Sequence, residues 1–367
     1  MNIIITREAL LNPLTLVLGA IEKKQAMSIL SHVLLKFDQN KLWMTGTDNE
    51  LELVGFSALD QAVDLFEITV PAKKLLDICK ALPDNALITL VFEEKRIILK
   101  SGKSRFTLLT LPAEDFPKID FGKILSKFHL PQQAFHFLLE KTYFAMAQQD
   151  VRFYLNGILF NIFADKLQVV ATDGHRLAQA NYSEGFSSTQ PNQVIIPRKA
   201  ALELIRLLQN IDEPLEIAIS SNHFHVTTSE FSFTSKLMEG KFPDFNRVIP
   251  KNTTKELHID RDVFKQALNR VAILCNEKFH AIRMLLTQDK MHLSANNPEH
   301  EEAEEELDIK YTEEPLEFGF NVNYLLDVLT VLPPGNVTLL FIDANNSVLL
   351  RHGGSDQTQY VVMPMRL

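Results

Sequence analysis

The stretch Ala171-Thr172-Asp173-Gly174-His175-Arg176-Leu177-Ala178 places a short polar turn between two apolar runs. A similar polar turn follows a strand pattern at Thr47-Asp48-Asn49 and again at Asn296-Asn297-Pro298. The spacing from the first turn to the second equals that from the second to the third to within one residue. Self-similarity at a fixed period is the sequence signature of a repeat architecture. The sequence therefore predicts three similar units in tandem.

Each predicted unit contains two amphipathic helices. Apolar residues recur at helical spacing near the start of each unit, in Arg7–Glu22, Pro131–Gln148 and Arg261–Cys275. A second helix is predicted to begin farther along each unit, at Pro71, Pro197 and Asn321. Proline suits two of these starts. The N–H groups in the first turn of a helix have no partner within the helix, so the N–H group that proline lacks is not needed there. The polar turns and the starts of the second helices are independent of each other, and both give the same period.

Strand patterns fill the rest of each unit. They include one strand after the first helix, at Ser31–Phe37, Gly157–Phe163 and Ala281–Leu286, and a strand-rich end, at Ile88–Leu111, Leu215–Leu237 and Val337–Met363. The predicted fold class is α+β, with three similar domains at 1–122, 123–253 and 254–367, each built of two helices and antiparallel sheets. Because no Gly/Ser-rich or Pro-rich linker separates the units, we expect a rigid arc with the helices on one face.

Composition excludes several classes of protein. The chain has 367 residues, of which 46% are hydrophobic and 23% charged, so wholesale disorder is excluded. Its two cysteines, Cys79 and Cys275, are far apart in apolar helical patterns, which excludes a disulfide framework and fits a reducing cytoplasm. No run of 18 apolar residues and no leader pattern occurs, so we expect no membrane contact.

The charge is unevenly distributed. The formal net charge is −9, which by itself argues against a nucleic-acid partner. The six predicted helices nevertheless carry a net positive charge, so the strands and loops hold the negative excess. A single lysine on a helix is more often merely solubilising, but the sum over six helices predicts that a duplex would meet the helix-lined face.

Two edges of opposite charge predict self-association. The run Glu299–Glu306 is rich in glutamate and includes the candidate interface residues Glu299, Glu301, Glu302, Glu304 and Glu305. The corresponding edge of the first repeat is basic and includes Lys74, Arg96, Lys103 and Arg105. A heterologous contact that closes on itself makes a ring, so we expect a head-to-tail homodimer.

Patterns that would indicate catalysis, a cofactor or a metal are weak. Gly102-Lys103-Ser104 lacks the first glycine of a phosphate-binding loop. Asp173 and His175 have no oriented nucleophile, and His223 and His225 have no third metal ligand in view. The sequence therefore predicts no enzyme, no cofactor and no metal, with an enzyme using Asp173 and His175 kept as an alternative.

Three further segments carry a resemblance. They are Gln149-Asp150-Val151-Arg152, the stretch 171–178 quoted above, and the terminus Tyr360-Val361-Val362-Met363-Pro364-Met365-Arg366-Leu367. Over its whole length the chain resembles the bacterial DNA polymerase III beta subunits, the sliding-clamp family. The resemblance implies clamp-type domains, a head-to-tail dimer forming a closed ring, helices lining the hole, and duplex DNA bound without regard to sequence. It also implies a processivity factor that catalyses nothing.

The resemblance also assigns site residues. DNA would be contacted by Lys24, Lys73, Gln149, Phe153 and Tyr154, and the dimer would be anchored by Ile273 and Leu274. At Lys24 and Lys73 the family pattern leads us to expect arginine, and at Phe153 tyrosine, so a bidentate phosphate contact and a phenol hydroxyl are missing. The implied peptide pocket comprises Leu155, Thr172, Gly174, His175, Arg176, Leu177, Pro243, Arg247, Val248, Tyr324, Ser347, Val361, Met363, Pro364, Met365 and Arg366.

The implied partners are DNA polymerase subunits and the clamp loader, both through short peptide motifs, and no membrane. Valine, leucine, proline and methionine at the predicted pocket suit an adaptable apolar groove. A DNA-binding regulator that grips a duplex from one side is a second alternative. It would need a base-reading helix in a compact module, and no helix-turn-helix pattern is present.

Overall fold

The computed structural model describes residues 2–21, 27–188 and 191–366. Within these ranges the α-helices are α1 Arg7–Val17, α2 Ala72–Ala81, α3 Gln132–Glu140, α4 Arg198–Leu207, α5 Arg261–Val271 and α6 Val322–Val331. The strands, in chain order, are β1 Asn2–Thr6, β2 His32–Thr47, β3 Leu51–Pro71, β4 Leu87–Glu93, β5 Arg96–Ser101, β6 Ser104–Leu109, β7 Ser126–Pro131, β8 Gly157–Ile162, β9 Leu167–Thr172, β10 Arg176–Tyr182, β11 Asn192–Pro197, β12 Pro214–Ile219, β13 His223–Thr227, β14 Phe231–Lys236, β15 Lys255–Asp260, β16 Ala281–Thr287, β17 Lys290–Asn296, β18 Glu302–Asp308, β19 Leu316–Asn321, β20 Asn336–Phe341, β21 Val348–His352 and β22 Thr358–Val362.

Side-chain caps explain where several helices begin. At α5, Asp260 Oδ1 accepts hydrogen bonds from the backbone N–H groups of Asp262 and Val263, at 2.9 and 3.0 Å. At α6, Asn321 Oδ1 accepts from the N–H of Asn323 at 3.0 Å. Such caps satisfy N–H groups that have no partner within the helix. None of the helices in the described ranges has both the length and the hydropathy needed to cross a membrane.

The first helix of each repeat ends earlier than its sequence pattern predicts. The chain passes into single 3-10 turns at Leu18–Ala20, Tyr143–Ala145 and Ala272–Leu274. Apolar spacing of three or four residues suits a 3-10 turn as well as an α-helix, so the periodicity runs past the helix end. Strand β2 is longer than predicted: its pairing with β3 shifts register on either side of Gln39, which has φ of 54°, and continues beyond it.

Contacts divide the chain into two compact units. Unit 1 comprises residues 1–132 and 206–237, and unit 2 comprises residues 133–205 and 238–367. Unit 1 contains the sheets β1-β4-β5-β6 and β2-β3-β14-β13-β12-β7, and unit 2 contains β11-β8-β9-β10-β22-β21-β20-β15 and β18-β17-β16-β19. Neighbouring strands pair antiparallel, as the predicted α+β class requires. The division into three domains stays a prediction at this point.

In unit 1, helix α1 packs closely against the long hairpin of β2 and β3. A Cβ atom on Gly46 would lie 2.8 Å from the carbonyl oxygen of Val17, and one on Gly55 would lie 3.0 Å from the Cα of Pro13. Only glycine permits so close an approach of backbones. On the same hairpin, half-buried Trp43 pairs across the strands with Phe56, with 5.1 Å between ring centroids.

In each unit, one of the edge strands carries or adjoins charged residues of the predicted interface. β6 is the edge of a four-stranded sheet in unit 1, and β18 is the edge of a four-stranded sheet in unit 2. An edge strand presents backbone N–H and C=O groups that another chain can pair with.

Candidate functional site

An apolar groove of about 190 Å³ lies in unit 2. The predicted pocket residues that line it are Leu155, Thr172, Gly174, His175, Arg176, Leu177, Pro243, Val248, Val361 and Met363. Its floor is continuous with a buried cluster that includes Leu155, Leu177 and Val361. Core packing thus fixes the floor of the groove.

Three residues that line the groove were missed by the sequence analysis: Arg152, Asp244 and Phe245. A signal for each was available. Arg152 belongs to the quoted motif 149–152, and the other two lie between the predicted residues Pro243 and Arg247. Once the segment 243–248 turns through its 3-10 turn at Phe245–Arg247, neighbours in sequence become neighbours in the groove wall.

The turn after β9 forms one wall, and its own side chains hold it. Asp173 Oδ1 accepts from the N–H groups of His175 and Arg176 at 2.9 and 3.0 Å, and Thr172 Oγ1 donates to the carbonyl of Arg176 at 2.6 Å. Gly174 has φ of +91°, which favours glycine. Such side-chain turns are a property of aspartate and threonine, so the local shape follows from the sequence.

The first repeat has the same turn. Asp48 Oδ1 accepts from the N–H groups of Glu50 and Leu51, and Thr47 Oγ1 donates to the carbonyl of Leu51. In the third repeat Asn297 Oδ1 accepts from the N–H groups of Glu299 and Glu301, so that turn is related but one residue wider.

The C-terminal strand completes the groove. Val361 on β22 lies opposite Leu177 on β10, and just past the strand the N–H of Met363 donates to the carbonyl of His175 at 2.9 Å. The N–H of Met365 donates to the carbonyl of Gly319 at 2.8 Å. Two backbone hydrogen bonds therefore hold the segment 363–365 in place.

Charged and aromatic side chains surround the apolar floor. Arg152 donates from Nε and Nη2 to the two carboxylate oxygens of Asp150, at 3.0 and 2.8 Å. The hydrogen bonds from Arg152 lower the pKa of Asp150 to about 2. The ring of His175 stacks on that of Tyr324 at 6.4 Å, and burial raises the pKa of Tyr324.

Six predicted pocket residues, all described, are absent from the lining: Arg247, Tyr324, Ser347, Pro364, Met365 and Arg366. The ring of Tyr324 stacks on that of His175, and Arg247 is 84% exposed in an ion pair with Asp244. Met365 and Arg366 line a different cavity of about 380 Å³, which also includes Arg283 and Glu302. The terminal segment thus contributes residues to two cavities of unit 2.

The predicted DNA-contacting residues occur in both units. Lys73 is exposed in the first turn of α2 in unit 1, and Lys24 lies outside the described residues. In unit 2, exposed Gln149 has φ of 56°, and Phe153 is 53% exposed. The rings of Phe153 and Tyr154 meet edge to face at 5.9 Å in one 3-10 turn. The unit 2 residues thus lie within one short segment.

The predicted interface residues are found on the two edge strands and near them. In unit 1, Lys103 and Arg105 are exposed at β6, Arg96 on β5 forms an ion pair with Glu93, and Lys74 is exposed on α2. In unit 2, Ile273 is 77% exposed, and Leu274 beside it is half-buried.

The acidic interface residues differ in their surroundings. Glu299, Glu302 and Glu304 are exposed on or before β18. Glu305 is held within its own chain by Arg270, with Nη2 to Oε1 at 2.7 Å. Glu301 accepts from Asn297 Nδ2 at 2.7 Å. Their availability to a second chain therefore varies.

The candidate acid/base and metal residues show other roles. Asp173 is committed to its turn and to Arg176, with Nε to Oδ2 at 3.1 Å. His225 shares a hydrogen bond with Thr234 Oγ1 at 2.8 Å, and burial lowers the pKa of its imidazole. Among the residues that the structure describes, no group of three His, Cys, Asp or Glu side chains is placed to hold a metal ion.

Comparisons with known proteins cover the whole chain. Three family models match in succession: the DNA polymerase III beta subunit N-terminal domain over residues 1–120, the central domain over 129–244, and the C-terminal domain over 246–366. Two curated relatives are the beta sliding clamps of Pseudomonas putida, at 49% identity, and Escherichia coli strain K12, at 46%. Each alignment runs over 367 residues and covers 100% of both proteins.

Solved structures of similar fold include a DNA polymerase sliding clamp from Pseudomonas aeruginosa, at 48% identity and a TM-score of 0.97. The same organism's clamp bound to griselimycin gives a TM-score of 0.96. A Caulobacter crescentus beta sliding clamp gives 33% identity and a TM-score of 0.94. All three cover 100% of both chains.

Proposed function

Because this chain belongs to the DNA polymerase III beta subunit family and is a sliding clamp, we propose that two copies close head to tail into a ring around duplex DNA. A sliding clamp is a processivity factor that tethers the replicative polymerase to its template, and it is not an enzyme.

The observation that carries the ring is the pair of open edge strands of opposite charge. β6 carries Arg105 and follows Lys103, whereas β18 carries Glu302 and Glu304. Pairing β6 of one copy with β18 of another would satisfy both sets of backbone groups, and the charges would set the register. Exposed Ile273 and neighbouring Leu274 supply the apolar part of the contact.

For DNA contact we propose Lys24, Lys73, Gln149, Phe153 and Tyr154. Exposure of Lys73, Gln149 and Phe153 supports this assignment. Lysine binds phosphate as a point charge, and an aromatic ring can stack on bases without regard to sequence. A few such contacts in a chain of net charge −9 give weak, salt-sensitive binding, so retention must come from the closed ring.

For the groove we propose short peptides of polymerase subunits and of the clamp loader as ligands. Its apolar lining suits leucine and aromatic side chains, and burying two of them contributes about 1.5–3 kcal/mol each before ordering costs. Exchange of partners favours a micromolar affinity, on the order of −8 kcal/mol, of which these two side chains supply only a part. The clamp from Pseudomonas aeruginosa bound to griselimycin is a related protein with a ligand.

We further propose domains at 1–122, 123–253 and 254–367, and activity in the bacterial cytoplasm. Support for the boundaries is the succession of three family models with their own ends near these positions. Support for the location is the bacterial DNA-replication role of the relatives together with two free cysteines.

Retention on circular DNA tests the ring. The protein is loaded onto a nicked plasmid with a bacterial clamp loader and ATP, washed in high salt, and then followed by gel filtration before and after a restriction enzyme linearises the plasmid. We expect retention on the circle and rapid loss after cutting, because salt screens ion pairs but not topology. A mixture without loader is the control and should show no salt-resistant binding. Equal loss from circle and linear DNA would contradict encirclement.

A further inference from the structure

Arg176 joins three segments of unit 2 at one wall of the groove. Its side chain is only 11% exposed. Nε donates to Asp173 Oδ2 at 3.1 Å, Nη1 donates to Asp327 Oδ2 at 2.5 Å, and Nη2 donates to the carbonyl of Phe144 at 2.7 Å. These acceptors lie in the turn after β9, on helix α6 and in the 3-10 turn after α3. The nitrogen atoms of Arg176 are therefore engaged within the chain.

Aromatic rings enclose the same guanidinium. Its Cζ lies 4.6 Å from the ring centroid of Tyr324 and 5.3 Å from that of Phe144. Guanidinium groups stack favourably on aromatic faces. Tyr324 in turn stacks on His175, and the planes of these two rings differ by 20°. The contacts run from Arg176 through Tyr324 to His175, which lines the groove.

Asp327 is connected to this arrangement from outside the groove. It follows Tyr324 by three residues on α6, so both side chains lie on one face of that helix. Asp327 is 44% exposed and does not belong to the lining, which lies wholly within the described residues. Its one close contact in this arrangement is with Arg176.

We propose that Asp327 is a positioning residue of the groove. By holding Arg176 it fixes the turn of Asp173 to His175 and the ring of Tyr324, and thus the wall against which a peptide packs. Arg176 accordingly acts by holding this wall and not as an anchor for the peptide. The inference rests on the proposed peptide binding and adds a residue that the sequence analysis did not name.

The charge balance explains why Asp327 is needed. Asp173 uses Oδ1 for two backbone N–H groups of its turn and Oδ2 for Arg176. Without the charge of Asp327, the mostly enclosed Arg176 would keep Asp173 as its only carboxylate partner here. The guanidinium would then gain from turning toward solvent, which would release both the turn and Tyr324.

The test measures peptide affinity in full-length variants by fluorescence anisotropy, using a fluorescein-labelled octapeptide with two leucines and one phenylalanine. Asp327→Asn keeps the shape and removes the charge, and we expect affinity to fall by about five- to tenfold. Asp327→Glu keeps the charge, so its peptide affinity should lie within about twofold of that of the unaltered protein. Glu317→Gln is the matched control, because Glu317 is also 44% exposed in an ion pair, with Arg283. It should not change the affinity.

A double variant separates positioning from general destabilisation. If Asp327 acts through Arg176, then Asp327→Asn should add no further loss to Arg176→Met. Full additivity, or unaltered affinity in Asp327→Asn, would overturn the proposal. A loss of affinity in Asp327→Glu as large as that in Asp327→Asn would overturn it too. Absence of peptide binding by the unaltered protein is a different result, which would contradict the proposed groove function instead.

Discussion

Asp150 owes its low pKa chiefly to hydrogen bonds from the side chain and the backbone N–H of Arg152. Because hydrogen bonds from Arg152 lower its pKa to about 2, its contribution to stability is present above the ordinary value of 3.8 and is lost as the pH falls toward 2. Replacing Arg152 with alanine should raise the pKa of Asp150 toward its ordinary value. The carboxyl carbon shift in a ¹³C NMR titration between these pH values measures it directly.

Arg247→Ala is the control for this titration. Arg247 pairs with Asp244 and not with Asp150, so the pKa of Asp150 should stay where it is. If Asp150 titrates in Arg152→Ala as it does in the unaltered protein, then the ion pair does not set its pKa.

Met363 tests the groove itself. Glutamate at this position would place a carboxylate against an apolar floor, and burying an unpaired charge is costly. We expect Met363→Glu to weaken peptide binding by at least about tenfold in anisotropy, which corresponds to about 1.4 kcal/mol. The same change at Met27, which is 54% exposed in unit 1, should leave binding unaltered. Peptide affinity that survives in Met363→Glu would place the site elsewhere.

Among helices and strands, starts were easier to predict from the sequence than ends. Pro71, Pro197 and Asn321 directly precede α2, α4 and α6, because proline and capping residues act locally. Helix ends are followed by 3-10 turns that keep nearly the same periodicity, and β2 continues past a shift in pairing at Gln39, which has a positive φ. Neither leaves a clear pattern in the apolar spacing.

Ile273 and Leu274 follow helix α5 in a 3-10 turn that exposes the isoleucine. If this turn packs against a second copy, replacing both residues with alanine should cost about 2 kcal/mol each. The dissociation constant of the dimer should then rise by more than about 100-fold, since 1.4 kcal/mol corresponds to tenfold. Sedimentation velocity at micromolar concentration should show monomers.

Val263→Ala is the matched control for the dimer. Val263 lies on α5 and is 49% exposed, but it is not among the predicted interface residues. It should remain dimeric under the same conditions. A dimer that persists in the double alanine variant would show that Ile273 and Leu274 are not at the contact.

For the protein as a whole, the repeat and the family followed from the sequence, but the composition of the site did so only in part. Thr172, Gly174 and His175 were predictable because a local turn brings them together. Asp244 and Phe245 join the lining only through the fold of segment 243–248, and Asp327 is involved only through a contact between distant segments. Hydrogen bonds within a turn can be predicted from residues that are neighbours in the sequence, whereas packing between distant segments cannot.

The pairing of Trp43 with Phe56 in unit 1 has a consequence for spectroscopy. Trp43 is the only tryptophan, and the six tyrosines, Tyr143, Tyr154, Tyr182, Tyr311, Tyr324 and Tyr360, all belong to unit 2. Indole emission excited at long wavelength therefore reports unit 1 alone, and phenol emission originates in unit 2 alone. The chain carries a separate intrinsic optical label for each unit, so a denaturation experiment can follow the two halves of the same molecule without any added dye.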